Sequence, residues 1–312
     1  SSGIRFGHLQ SLENAGRHKA LLTLRSGQEI ELYNESTDIG PSVRGILVED
    51  ARQGSFELKW RDIERIDFMP VPKELTASQY GNRLYGTLTT QSGHAFSGYI
   101  CWDVDEVLGE DILDGDDERG RDRNIRLDEI AALARESARS TLVTLTTGEE
   151  LILHGSNDVN SDNRGILVMD PGLGQVRVPW KAFDELVFES PSRTYGYDDF
   201  YTSGPLTGTV ETLDGDKFTG TIHWDGDEAA SWELLDGDLN GLDFDIEMGL
   251  IKSIEPVSDR AALVTLFDGR DFELHGSNDV NEDNNGVYIL YDNGDQIRVD
   301  WDDLKIVTFK KP

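Results

Sequence analysis

A seven-residue string, His-Gly-Ser-Asn-Asp-Val-Asn, occurs at residues 154–160 and again 121 residues further on, at 275–281. Each copy leads into an acid-and-amide stretch that ends on glycine. In one this is Ser161, Asp162, Asn163, Arg164 and Gly165, and in the other Glu282, Asp283, Asn284, Asn285 and Gly286. Two identical heptapeptides in a 312-residue chain imply an internal repeat, which restricts the fold to one that stacks or pairs copies of a unit. The period holds elsewhere. Ile4, Ile125 and Ile246 open related segments, and Gly27, Gly148 and Gly269 occupy related turns. Trp60, Trp180 and Trp301, then Phe68, Phe188 and Phe309, return at steps of 120 or 121 residues.

Two units alternate within the period. Unit A begins near Leu84 and near Leu206, as GTLTTQSGHAFSGYICWDVDE and GTVETLDGDKFTGTIHWDGDE. Unit B occurs three times, over 18–69, 139–190 and 260–311. Residues 3–14 match only the end of an A unit, so about fifty further residues are expected upstream in a parent protein. The expected organisation is the end of a truncated A unit (1–15), a first B unit (16–70), then A (82–137), B (138–190), A (204–258) and B (259–312). Segments 70–81 and 190–204, with their Pro, Ser, Tyr and Gly, read as linkers.

Turn glycines between alternating apolar segments predict short strands and hairpins. Alternation points Leu22 and Leu24, Val143 and Leu145, and Val264 and Leu266 inward, followed after the turn by Ile30 and Leu32, Leu151 and Leu153, and Phe272 and Leu274. Asp292, Asn293 and Gly294 form a strong hairpin signal. Residues 127–140 alone read as a helix. Each B unit closes with strand, one-turn break and strand, as in VRVPWKAFDELVFE. Five short strands with that late break resemble the SH3-like and Sm-like small β-barrels, and the opening of A resembles an Sm-type first hairpin. The resemblance implies an all-β chain: a tandem array of small five-stranded barrels in double-barrel repeats of about 121 residues. It implies no activity, because small barrels host many. A lone barrel of roughly 50 residues buries too little surface, so A is expected to pack on B and repeat on repeat.

Three groups of residues carry candidate chemistry. Asp158, Asn160 and Asp162, and their counterparts Asp279, Asn281 and Asp283, alternate along a tight loop as the oxygen ligands of Ca²⁺ do. The spacing resembles the first half of an EF-hand or dockerin loop, although Met169 and Leu290 stand where the closing bidentate acid would be. The same side chains also suit turn capping. In the first B unit Asp38, Ile39, Gly40, Pro41 and Ser42 keep a turn with two of the three ligands lost. The second group is Trp102, Asp103, Asp105 and Glu106, with Trp224, Asp225, Asp227 and Glu228. Its tryptophans share parity with Phe96 and Ile100 or Phe218 and Ile222, which makes them core, or else platforms for a sugar, so that Trp102, Asp103 and Asp105, with Trp224, Asp225 and Asp227, form a possible ligand surface; the acids behind the rings either bind a cation or solvate a loop. The third is His154 and His275, which should point outward at a loop base. They align with Tyr33, which argues against catalysis, as the alignment of Cys101 with His223 argues against a nucleophile.

Sixty acids against 29 bases give a net charge of −31, the wrong sign for phosphate contacts, so an Sm-like nucleic-acid role is disfavoured. Metal cations, cationic partners and salty surroundings fit better. No apolar run approaches the ~20 residues of a membrane helix. The start at Ser1, Ser2 and Gly3 leaves room for a removed signal or anchor. The expectation is a non-enzymatic structural or binding module, calcium-stabilised and periplasmic or extracellular, with a protein or glycan partner. The alternative is a glycan-directed hydrolase using rim carboxylates.

Overall fold

The computed structural model describes residues 3–33, 38–43, 45–50, 52–70, 82–193 and 196–312; the 71–81 part of the first linker and residues 194–195 of the second lie outside them. Among the described residues there is no α-helix, only strands and single 3-10 turns. The first part of the chain supplies β1 (Leu9–Gly16), β2 (Lys19–Leu24), β3 (Glu29–Tyr33), β4 (Ile46–Asp50), β5 (Gly54–Leu58) and β6 (Arg65–Asp67). The middle A unit supplies β7 (Tyr85–Thr90), β8 (Ala95–Cys101), β9 (Ile112–Asp117), β10 (Asp122–Arg126) and β11 (Ile130–Arg135). Its B unit follows with β12 (Ser140–Leu145), β13 (Glu150–His154), β14 (Ile166–Asp170), β15 (Gly174–Val178) and β16 (Phe183–Phe188). The last repeat mirrors this with β17 (Thr207–Thr212), β18 (Lys217–His223), β19 (Leu234–Leu239), β20 (Leu242–Glu247) and β21 (Ile251–Ser258). It ends with β22 (Ala261–Leu266), β23 (Asp271–His275), β24 (Val287–Leu290), β25 (Gln296–Val299) and β26 (Leu304–Phe309).

The expected small barrels do not form. Twenty strands of the two full repeats join in one long antiparallel sheet. A self-contained five-stranded barrel would pair its second strand with its third. Here β8 pairs with β14 of the B unit, and β9 with β13, so each unit's open edges are closed by the other. The last strands tie the units again: β11 pairs β12 and β16, and β16 pairs β7. Exchanging A for B maps every one of these pairings onto another, so the repeat has the connectivity of a pseudo-dimer. The last repeat repeats the scheme through β18–β24, β19–β23, β21–β26 and β17–β26. Pairing of β15 with β20 then joins one repeat to the next. The physical cause is the one that makes a 50-residue unit marginal: sharing edges buries more apolar surface than closing each unit alone.

The inward positions are as the alternation predicts. Val143, Leu153, Val264 and Leu274 are fully buried in one core that runs through both repeats. Phe96, Phe244 and Phe272 cluster across the junction, with centroids 5.8 and 5.1 Å apart along the chain of contacts. Segment 127–140 is not helical. It is a 3-10 turn (Leu127–Glu129), strand β11, a turn and the start of β12. A β-bulge between Ile130 and Ala132 explains the misleading signal. The bulge sends Ile130 and Leu133 to the same side at a spacing of three, which imitates a helical stripe.

The first part forms a four-stranded sheet, β3–β2–β1–β6, and a separate β4–β5 hairpin. Its core, Leu9, Leu12, Leu22, Leu24 and Trp60, includes Trp232 of the last A unit. His8 joins Glu247 at 2.7 Å, with Arg5 and Tyr201 on the same carboxylate. Burial alone would raise Glu247, but His8 and Arg5 hold it below the usual carboxylate range.

Candidate metal centre

The strand exchange decides where the acidic residues meet. The loop between the second and third strands of A holds Trp102, Asp103, Asp105 and Glu106, and the matching loop of B holds residues 155–165. Pairing of Cys101 with Leu167, and of His154 with Asp116, lays the two loops against each other at the A/B seam. Two candidate groups that are separate in sequence thus become one site.

In the middle repeat Trp102 is fully buried and its Nε1 donates to the Asp158 carbonyl at 3.0 Å. In the last repeat Trp224 does the same to Asp279, also at 3.0 Å. Both indoles pack edge-on to a second tryptophan, Trp180 or Trp301. These rings are core, and neither presents a face to a sugar. After each indole the chain turns back on itself through two successive left-handed residues, Asp103 (φ 47°) and Val104 (φ 71°), or Asp225 (φ 51°) and Gly226 (φ 85°). The tight turn brings the Glu106 amide within 3.0 Å of the Trp102 carbonyl and aims the carboxylates into the seam.

Asp103 and Asp225 are buried, and both are held by the B loop. Asn157 and Asn278 donate to them through side-chain amides, and Arg164 and Asn285 through backbone N–H groups. Asp158 accepts from the Asp114 amide at 3.0 Å and Asp279 from the Asp236 amide at 2.7 Å, so both turn inward from the DxNxD loop. Asn160 and Asn281 do not join them. Each caps its own turn, accepting from the Asp162 amide at 2.7 Å or the Asp283 amide at 2.8 Å. Asp162 and Asp283 are exposed. The loop thus divides its labour: the first acid enters the seam, and the amide shapes the turn. Asp105 and Asp227 lie on the A side of the same seam, and their charges act on Glu106 and Glu228 respectively.

Among the described residues, two carboxylate groups that could hold a metal ion result. Oxygens of Asp103, Asp105 and Glu106 lie within 4.8 Å of one another, as do those of Asp225, Glu228 and Asp279. One Oε2 each on Glu106 and Glu228 is buried and receives no hydrogen bond from the described residues. Burial, then the Asp279 and Asp227 charges, pushes Glu228 up to about 9. Burial, then Asp105 and Asp158, pushes Glu106 up to about 8. Burial is also the main cause for Asp279, at about 7, and Asp158, at about 6, with neighbouring acids adding to it.

One difference separates the sites. In the middle repeat Arg164 lies over the cluster, its guanidinium 2.8 Å from Asp103 and also bonded to Asp105. Asn285 occupies that position in the last repeat, where it contributes its backbone amide and no charge. Glu106, Glu228 and Arg164 were not among the ligands expected from the DxNxD pattern. The available signal was the joint retention of the WDxDE and HGSNDVN strings in both full repeats.

The other candidates fall away from this centre. His154 is half-buried, and exposed His275 lies 3.3 Å from Asp238. Cys101 is buried, and burial followed by the Glu106 and Asp105 charges raises its thiol to about 12, which suppresses the thiolate.

No family model matches the chain, and no curated protein does. Among solved structures, a streptogramin B lyase structure aligns over 99% of this chain and 97% of that chain at 9% identity, with a TM-score of 0.15. A likeness that slight carries no argument about fold or activity.

Proposed function

We propose that the chain is a non-enzymatic structural or binding module whose A/B seams are tied by Ca²⁺, with the seam of the last repeat as the principal site. One observation carries this reading: Asp225, Glu228 and Asp279 converge inside the protein with no side-chain cation on them among the described residues, where the middle repeat has Arg164. Clustered buried carboxylates that lack a counter-charge are costly, and a bound cation removes that cost. The donor set favours Ca²⁺. It is all oxygen, which disfavours softer metals, and it is built of carboxylates on two different loops, a set that the flexible coordination of Ca²⁺ accepts more readily than the strict octahedron of Mg²⁺.

The ion acts through linkage. It binds only the folded seam and stabilises it by RT ln(1 + [L]/Kd), about 2.7 kcal/mol at a hundredfold excess over Kd. Modules of this kind suit the calcium-rich, exported setting that the acidic composition also favours, and a protein or glycan partner would dock on the stiffened array. Calorimetric titration tests the reading. Heat of binding with Ca²⁺ and a melting temperature lowered by chelator are expected; no heat and no chelator effect would reject it.

A further inference from the structure

The seam leaves part of the repeated heptapeptide unused: His154 and Gly155 at its start and Asn160 at its end belong to neither carboxylate group. In the middle repeat these three line one side of a cavity of about 650 Å³, the size of a small-ligand site. The tip of the β9–β10 hairpin contributes Glu118, the β11–β12 turn contributes Arg139, and the loop beyond the heptapeptide contributes Ser161 and Asp162. Ile152 of β13 adds an apolar side chain. Backbone ties hold these walls in place. The Ser161 amide donates to the Ala138 carbonyl at 2.9 Å and the Thr141 hydroxyl to the Val159 carbonyl at 3.1 Å, which fixes the loop to the turn. His154 pairs with Ser140 on one side and Asp116 on the other. Buried Asp117 accepts from the Arg119 and Arg121 amides at 2.9 and 3.1 Å, which shapes the hairpin tip. Among the described residues no hydrogen bond or ion pair engages the side chains of Glu118, Arg139, His154, Ser161 or Asp162.

We propose that this cavity binds a segment of a neutral oligosaccharide. The proposal rests on the reading of the chain as a binding module and adds to it a ligand class and a place. Both charge signs share the rim, Glu118 and Asp162 against Arg139, so no ion of one sign is selected. Among the described residues these side chains form no group that could hold a metal, so the cavity is not a third metal site. Carboxylates only accept hydrogen bonds and a guanidinium only donates them, whereas imidazole and hydroxyl groups do both. A sugar hydroxyl donates and accepts at once, so adjacent hydroxyls of one ring satisfy such a mixture, with Ile152 against the C–H face of the ring. A zwitterion fits less well: it would occupy Arg139 and one acid and leave His154 and Ser161 idle.

The last repeat supplies a contrast within the same chain. Its hairpin tip, Leu239, Asn240 and Gly241, brings no carboxylate, and Glu273 stands in place of Ile152. His275, the counterpart of His154, lies 3.3 Å from Asp238 and is already engaged. One sugar site per chain is therefore expected, in the middle repeat, while the principal calcium site belongs to the last.

Saturation-transfer NMR of the full chain tests this, with maltotriose, cellotriose, xylotriose and chitotriose as probes and glycylglycine and sulfate as the charged alternatives. Each is added at about 5 mM, which reveals binding down to millimolar Kd. Transfer to at least one trisaccharide is expected, at one site per chain. Arg139→Ala and Asp162→Ala should each weaken that binding at least about tenfold, the worth of a hydrogen bond to a charged group. Arg260→Ala, the matching change in the last repeat, should leave it unchanged. An unaltered melting temperature and calcium heat show that the variants are folded. No transfer to any trisaccharide overturns the proposal, as does transfer to glycylglycine or sulfate alone, or sugar binding that survives both middle-repeat variants. Absent sugar binding with calcium heat intact rejects this site and leaves the calcium reading standing. Sugar binding of the expected kind without calcium heat supports the site and rejects the calcium reading.

Discussion

Replacing Glu228 by glutamine separates a metal-site carboxylate from a structural one, because the two roles predict opposite signs. The Glu228 carboxyl sits near 4.5 when exposed and about 9 when folded. Between those values the folded state holds more protons than the unfolded state, so folding stability falls as pH rises through that window. At pH 7 the gap from 4.5 is worth about 1.4 kcal/mol per pH unit. Discounted for the partial exposure of this side chain, it amounts to on the order of 2 kcal/mol. An amide has the same shape and no charge to bury, so in chelator the Glu228→Gln variant should melt a few degrees above the parent. The advantage should shrink to a few tenths of a kcal/mol near pH 4.5, where the parent carboxyl is protonated when folded and half protonated when unfolded. Millimolar Ca²⁺ should raise the melting temperature of the parent and leave the variant almost unmoved. Melting followed by circular dichroism, in chelator and in Ca²⁺ from pH 4.5 to 8.5, measures both effects. A variant less stable than the parent in chelator, and still stabilised by Ca²⁺, would refute the reasoning.

The two copies of the seam supply further tests. Asn285→Arg should build the arrangement of the middle repeat into the last one, stabilising the chelated protein and removing most of its calcium response in the same melts. Arg164→Asn should do the reverse: a loss of about 1–3 kcal/mol in chelator, since buried Asp103 loses its partner, and a second calcium equivalent by titration. Asn281→Ala removes a turn cap from the Asp283 amide and should cost about 1 kcal/mol in urea unfolding with calcium affinity unchanged; a tenfold loss of affinity would return Asn281 to the ligand set. Val104 holds φ at 71°, where a β-branched residue is strained and the last repeat has Gly226. Val104→Gly should therefore stabilise the protein by about 1 kcal/mol, and unchanged or lower stability would show that the turn relaxes.

Repeat period, inward faces and buried tryptophans were legible because they depend on local alternation. Val143 and Leu153 announce a buried face whichever strand lies beside them. Strand partners are not local. The hairpins β7–β8 and β12–β13 look the same in sequence whether β8 turns to β9 or crosses to β14, and only the free energy of burying the whole repeat decides. The resemblance to small barrels failed at that step: the alternating strands were anticipated, apart from β11, and their neighbours were not. The bulge at Ile130 failed for a related reason: a one-residue insertion shifts the period of two to a spacing of three, and the text alone cannot distinguish that from a helix.

The candidate centre shows the same limit and a way past it. Reading Asp158, Asn160 and Asp162 as one ligand set assumes that a loop folds around its own ion. The structure instead gives Asp158 to the seam and Asn160 to the turn, because β13 and β14 hold the ends of the loop against the A unit. A site shared between two units leaves a mark in both, and the paired WDxDE and HGSNDVN strings are that mark. The one position at which the paired seams differ in charge beside the buried aspartate, Arg164 against Asn285, identifies what the seam needs. Each copy gathers buried acids, and among the described residues only the middle one sets a side-chain cation on them. Cation dependence should therefore follow residues 164 and 285 rather than the loop that first drew attention.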